Sequence, residues 1–192
     1  MTNCIIVHGC SGSKESTLDF SEGTEVQHWI PWTRQKLREN SINTQTPLMP
    51  EPWAPVYEKF RQEFKKYKVD ENTVLVGHSC GCAFLTRWLG ESKQKIKKLI
   101  LVAPWKVNTR NESFRDEFYA FNIDETIKSR VGEIVMFTSD NEREGGLESL
   151  KIYHQALGGR IITLPSHGHY IFEDMGTQEF SELLQEIINT EV

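Results

Sequence analysis

Ser79 stands at the centre of Gly77-His78-Ser79-Cys80-Gly81, a G-x-S-x-G string. The apolar run Thr73–Val76 precedes it, and Phe84, Leu85, Trp88 and Leu89 follow at helical spacing. Strand, sharp turn and helix in that order present the central hydroxyl above a sheet in a strained backbone conformation. Neighbours two positions either side come close together, which asks for Gly77 and Gly81. The following helix aims free N–H groups at the serine oxygen. A cysteine nucleophile at Cys80 or Cys82 fits poorly, because neither holds the central position.

A serine hydroxyl needs a base, and the base needs an orienting acid. After such a turn the chain order is Ser, acid, His. His154, His167 and His169 follow Ser79. His154 lies in a helix-period stretch with Leu150, Tyr153 and Leu157. His167 and His169 lie beyond the strand candidate Arg160–Leu164, and His169 is favoured because Gly168 lets the chain bend before it. The acid should leave the strand Glu133–Thr138, where Asp140, Glu142 and Glu144 all stand in range. Either carboxylate type can accept an imidazole N–H, and Asp140 also suits a turn.

Acyl transfer develops an oxyanion, which fixed N–H donors stabilise. The Cys80 N–H follows the nucleophile. The Cys10 N–H, after the first strand and His8-Gly9, is the second candidate. Gly9, His78 and Trp105 are expected to touch substrate. Were the thiols of Cys10 and Cys80 near Ser79, their oxidation or alkylation would block the site.

The elements that position these residues alternate along the chain. Strand candidates are Asn3–Val7, Thr73–Val76, Leu99–Val102, Glu133–Thr138 and Arg160–Leu164, with a weaker one at Asn43–Thr46. The strong ones are continuously apolar, as for strands buried on both faces. Val56, Phe60, Phe64 and Tyr67 mark one helix; Phe180, Leu183, Leu184, Ile187 and Ile188 mark another. The pattern predicts an α/β fold with a mostly parallel twisted sheet and helices on both faces, with sites beyond the carboxyl ends of the strands. Two long connections stand out. Residues 9–26 are polar and read as a flexible surface segment. Residues 103–126 carry Trp105, Phe114, Phe118, Tyr119 and Phe121, enough aromatic surface for a small cap.

The 192 residues, 38% hydrophobic and 26% charged, suit one domain over 1–192 with a sizeable core. With 22 basic against 27 acidic residues, the net charge of −5 leaves no nucleic-acid footprint and no basic block for an anionic membrane. Lys93, Lys95, Lys97 and Lys98 read as a solvated helix end. No apolar run approaches the 18 residues of a membrane span, and the N-terminus lacks a secretory signal. Cysteines at 4, 10, 80 and 82 show neither CxxC nor zinc-ribbon spacing. Free thiols in a reducing, cytoplasmic setting are expected, with no metal and no cofactor.

In this order, His8-Gly9, His28-Trp29-Ile30-Pro31-Trp32, the Pro47–Trp53 stretch, Gly77-His78-Ser79-Cys80-Gly81, the Ser139–Glu142 turn and Gly168-His169-Tyr170 resemble the retinoblastoma-binding-protein/YdeN-like serine hydrolases over nearly the whole chain. The resemblance implies an α/β-hydrolase fold with minimal or no lid. It implies Ser79 as nucleophile, His169 as base and an acid at Glu142, where relatives carry Asp; Asp140 is the alternative. The family's retinoblastoma-associated L-x-C-x-E string is missing, because Tyr67–Glu71 has no Cys. The expected activity is cleavage of a small ester, thioester or amide through an acyl-enzyme, with Trp29, Trp32, Trp53 and Trp105 available for an acyl pocket. The other class of function is a catalytically silent interaction protein on the same scaffold.

Overall fold

The computed structural model describes residues 2–109 and 112–189. Six strands form one sheet in the order β2-β1-β3-β4-β5-β6, every neighbouring pair parallel. They are β1 (Asn3–Val7), β2 (Asn43–Gln45), β3 (Thr73–His78), β4 (Ile96–Val102), β5 (Val131–Ser139) and β6 (Arg160–Leu164). The sequence reading places every strand, and differs only at the ends. β4 begins three residues earlier than its apolar run, because Ile96 pairs with Val131.

Alternate residues of each central strand enter two cores. Ile5, Val7 and Leu75 face the helices α2 (Tyr57–Phe64), α3 (Cys80–Ser92) and α5 (Glu144–Leu157). Cys4, Ile6, Val74 and Val76 face α1 (Trp29–Glu39) and α7 (Ser181–Ile188). Burial on both sides is why these strands read as unbroken apolar runs. Short helices α4 (Ser113–Tyr119) and α6 (Phe172–Met175) lie in loops beyond β4 and β6.

From β1 the chain moves outward to β2, then returns to the other side of β1 with β3. The strand order thus reverses between β1 and β3, where open α/β sheets leave a crevice. Val7 is in register with Gly77, so the two turns that follow leave the sheet side by side.

Two readings of surface segments fail. Lys98 is not a solvated helix end but a β4 residue 2% exposed, its Nζ bonded to Glu133 Oε2 (2.8 Å) and to Glu186 Oε2 (2.9 Å). Paired carboxylates make a buried ammonium tolerable. The 9–26 loop is no loose surface strip either. Phe20 is buried against the ring of His8, and the Arg34 guanidinium donates to the Phe20 carbonyl at 2.7 Å.

Candidate active site

Ser79 sits between β3 and α3 with φ 52° and ψ −120°. An L-residue rarely adopts this conformation, and here the surroundings enforce it. Gly77 and Gly81 make the enforcement possible. A Cβ on Gly77 would stand 2.8 Å from the Cys82 nitrogen, and one on Gly81 only 2.5 Å from the Val7 carbonyl oxygen. The bend therefore packs against both its own helix and the end of β1. The Ser79 N–H is held by the Val102 carbonyl at 3.0 Å.

Ser79 Oγ lies 2.9 Å from Nε2 of His169. On the far side of the ring, Nδ1 lies 3.0 Å from Oε2 and 3.1 Å from Oε1 of Glu142. The Glu142 carboxylate also accepts the Arg143 N–H at 2.7 Å, and both its side chain (1% exposed) and that of His169 (8%) are withdrawn from water. A carboxylate on Nδ1 leaves the Nε2 lone pair facing the hydroxyl, the arrangement that lets an imidazole take a proton. Trp105 packs edge-on against the His169 ring, with centroids 5.0 Å apart.

Asp140 is turned elsewhere. Its Oδ1 accepts the Ser166 N–H at 2.8 Å. Beside it, Ser139 Oγ accepts the His167 N–H (2.8 Å) and Asn141 Oδ1 the Gly168 N–H (2.8 Å). Asp174 Oδ2 takes the His169 N–H at 2.8 Å. Four consecutive amides of the histidine loop are thus held by four side chains. Asn141 and Asp174 went unnoticed in the sequence, and side-chain to backbone bonds of this kind leave no periodic signal there. His154 is exposed on α5, and His167 Nδ1 donates to the Pro165 carbonyl, so neither ring reaches Ser79.

Three further histidines line the same cleft as neutral rings. His78 Nε2 donates to the His169 carbonyl at 2.9 Å, and burial holds its pKa well below the usual imidazole value. His28 caps α1, its Nδ1 accepting the Ile30 N–H at 3.3 Å; burial depresses its pKa to about 3. His8 Nε2 accepts the Met49 N–H at 2.9 Å, and burial lowers its pKa as well.

A cleft of about 790 Å³ opens over Ser79. Gly9, His78 and Trp105 all border it. The 9–26 loop supplies Leu18, Phe20 and Val26, and the excursion beyond β4 supplies Asn108, Arg115 and Tyr119. Arg115 ties that excursion down by donating to the carbonyls of Ser11 (3.2 Å) and Trp53 (3.1 Å). The 103–126 segment therefore walls the cleft, although residues 110 and 111 lie outside the described part of the chain. Of the four tryptophans considered for an acyl pocket, only Trp105 borders it. Trp29 is core, donating its indole N–H to the Tyr170 carbonyl at 3.0 Å.

The expectation of four free thiols fails for two of them. Cys10 and Cys80 are joined in a disulfide, Cα atoms 5.6 Å apart and 70 residues apart in sequence. Neither is the accessible thiol that would block the site. Closing a loop of that length restricts the unfolded chain by an amount worth about 4 kcal/mol. Cys4 and Cys82 remain free and buried. Among the described residues the Cys10 N–H donates to no backbone acceptor.

Among the described residues no group of His, Cys, Asp and Glu is placed to hold a metal ion, and no helix is long and apolar enough to cross a membrane.

The chain is similar in sequence and fold to known proteins. The Bacillus subtilis (strain 168) protein YdeN is 26% identical over 159 residues, which are 80% of this chain and 83% of that one. The crystal structure of the B. subtilis ydeN gene product superposes with a TM-score of 0.83 at 22% identity, covering 99% of this chain and 98% of that one. Est1E from Butyrivibrio proteoclasticus shares the fold at a TM-score of 0.63 and 14% identity, covering 98% and 88%. A family model described as serine hydrolase matches residues 4–187, and the chain belongs to that family.

Proposed function

We propose that the protein cleaves small carboxylic esters, with thioesters or amides as further substrates, through an acyl-enzyme on Ser79. The single observation that carries this reading is the Ser79 Oγ to His169 Nε2 contact at 2.9 Å, backed by Glu142 on Nδ1. Ser79 Oγ attacks the carbonyl carbon while His169 takes its proton. Glu142 stabilises the imidazolium that forms. The N–H groups of Cys80 and Cys10 hold the oxyanion. The tetrahedral centre collapses, and His169 returns the proton to the leaving alcohol, thiol or amine. Water, activated by the same ring, then attacks the acyl group and frees Ser79. No step calls for a metal or cofactor.

A cleft of 790 Å³ walled by two loops suits a short or compact acyl group. A fluorophosphonate probe tests the chemistry. Wild type should be labelled and Ser79→Ala should not; no labelling of folded wild type would favour an interaction protein instead. A series of p-nitrophenyl esters of rising chain length tests the substrate class, and activity confined to long acyl chains would contradict it.

A further inference from the structure

Cys10 and Cys80 each follow, by three positions, one member of the register pair Val7 and Gly77. Their two turns leave the sheet together where the strand order reverses, and the disulfide bolts one to the other. The two turns differ in how they are held. Cys80 begins a 13-residue helix, and its position follows from the bend at Ser79. Cys10 lies in an irregular loop. Around it, the Gly9 carbonyl meets His8 Nδ1 at 2.7 Å and the Ser11 carbonyl meets Arg115 at 3.2 Å. These contacts hold carbonyls and leave the Cys10 N–H unclaimed among the described residues.

We propose that the Cys10–Cys80 disulfide is a positioning element for catalysis, fixing the spacing of the two N–H donors that receive the oxyanion. The inference rests on the acyl-transfer reading given above. Donors stabilise a developing charge only when already aimed at it, and removing one such donor typically costs a factor of 10² to 10³ in kcat. Letting one wander should cost less than removing it. The donors match the tetrahedral oxyanion better than the planar carbonyl, so the loss falls on kcat rather than KM. Cys82 cannot substitute as a disulfide partner. It is fully buried, with its Sγ bonded to the Gly77 carbonyl at 3.1 Å.

The test reduces the full-length protein with a water-soluble trialkylphosphine. Phosphorus attacks one sulfur, the S–S bond breaks, and water releases the phosphine oxide. Two protein thiols are left, the two electrons coming from phosphorus. The phosphine is removed without air, and kcat and KM are measured on p-nitrophenyl acetate. A trifluoromethyl ketone, which forms a tetrahedral adduct on serine, reports affinity for the oxyanion form. Reduction should lower kcat by about 10- to 100-fold and weaken the ketone in step. KM should change by less than about threefold, and reoxidation should restore activity. The double variant Cys10→Ala/Cys80→Ala should match the reduced enzyme and ignore the phosphine.

An unchanged kcat after reduction overturns the proposal, whatever happens to the melting temperature. So does unfolding at the assay temperature on reduction, seen by circular dichroism, since the link would then serve the fold alone. Purified active protein with four titratable thiols overturns it too. If the oxidised protein neither hydrolyses esters nor labels at Ser79, the acyl-transfer reading itself falls. Equal activity of the oxidised and reduced forms removes only the role of the link.

Discussion

The imidazole of His78 donates to the backbone carbonyl of His169, 2.9 Å away. The residue preceding Ser79 thus holds the backbone of the residue whose ring faces Ser79, across 91 positions of sequence. With the four side chains that grip the amides of residues 166–169, it makes the histidine loop rigid from both sides. Supporting contacts of this kind hold a side chain in one orientation.

Replacing Glu142 by Gln should lower kcat by about 10³ to 10⁴, because the amide no longer selects the tautomer or stabilises the imidazolium. Asp140→Asn keeps an acceptor for the Ser166 N–H and should cost less than about tenfold. Steady-state kinetics on one ester decides between them. Equal and small losses would remove Glu142 from the acid's role.

Gly146 lies in the first turn of α5, against the Glu142 side chain. A Cβ there would stand 2.6 Å from Cδ of Glu142. Gly146→Ala should push the carboxylate aside and lower kcat by about 10². The better helix propensity of Ala, up to about 1 kcal/mol, offsets part of the strain, so the melting temperature should move only modestly. Kinetics and calorimetry on the same sample separate the two effects, and an unchanged kcat would contradict the expectation.

The neutral histidines set an acid limit. His28 and His78 have pKa values held below the usual imidazole range by burial, that of His28 to about 3. The unfolded chain binds protons at these positions below about pH 6.5 and the folded chain does not. Stability is therefore full above that pH and falls as pH drops from 6.5 towards 3. Each ring contributes a slope of up to about 1.4 kcal/mol per pH unit. Urea unfolding between pH 7 and 4 measures the slope, and His28→Asn should shallow it. A flat profile over that range would refute the assignment.

Lys98 is the one buried ammonium that the sequence reading sent to the surface. Lys98→Met removes its bonds to Glu133 and Glu186 while Arg160 still neutralises both carboxylates. The loss should be about 1 to 3 kcal/mol by urea unfolding. Less than about 0.5 kcal/mol would mean that Arg160 alone satisfies them.

Much of this was legible in the residues. Ser79 could be placed because a strand, two glycines and a helix leave one geometry for the turn between them. His169 followed from chain order and Gly168. Which carboxylate lies against the His169 ring could not be told from the residues alone, since either can accept an imidazole N–H; it depends on how Ser139, Asp140 and Asn141 bind the histidine loop. The Cys10–Cys80 link was misread because its 70-residue separation resembles no motif spacing. Lys98 was misread because its partners come from a neighbouring strand and a helix near the C-terminus. Phe20 was missed because one aromatic in a polar loop carries no period.

The pairing of Val7 with Gly77 has a consequence for how the chain tolerates change. Deleting a single residue from β1 would slide its end by about 3.3 Å and flip every following side chain to the opposite face. The turn it carries would then meet Ser79 out of step. Insertions and deletions should accordingly be absent from β1 and β3 in working members of this lineage.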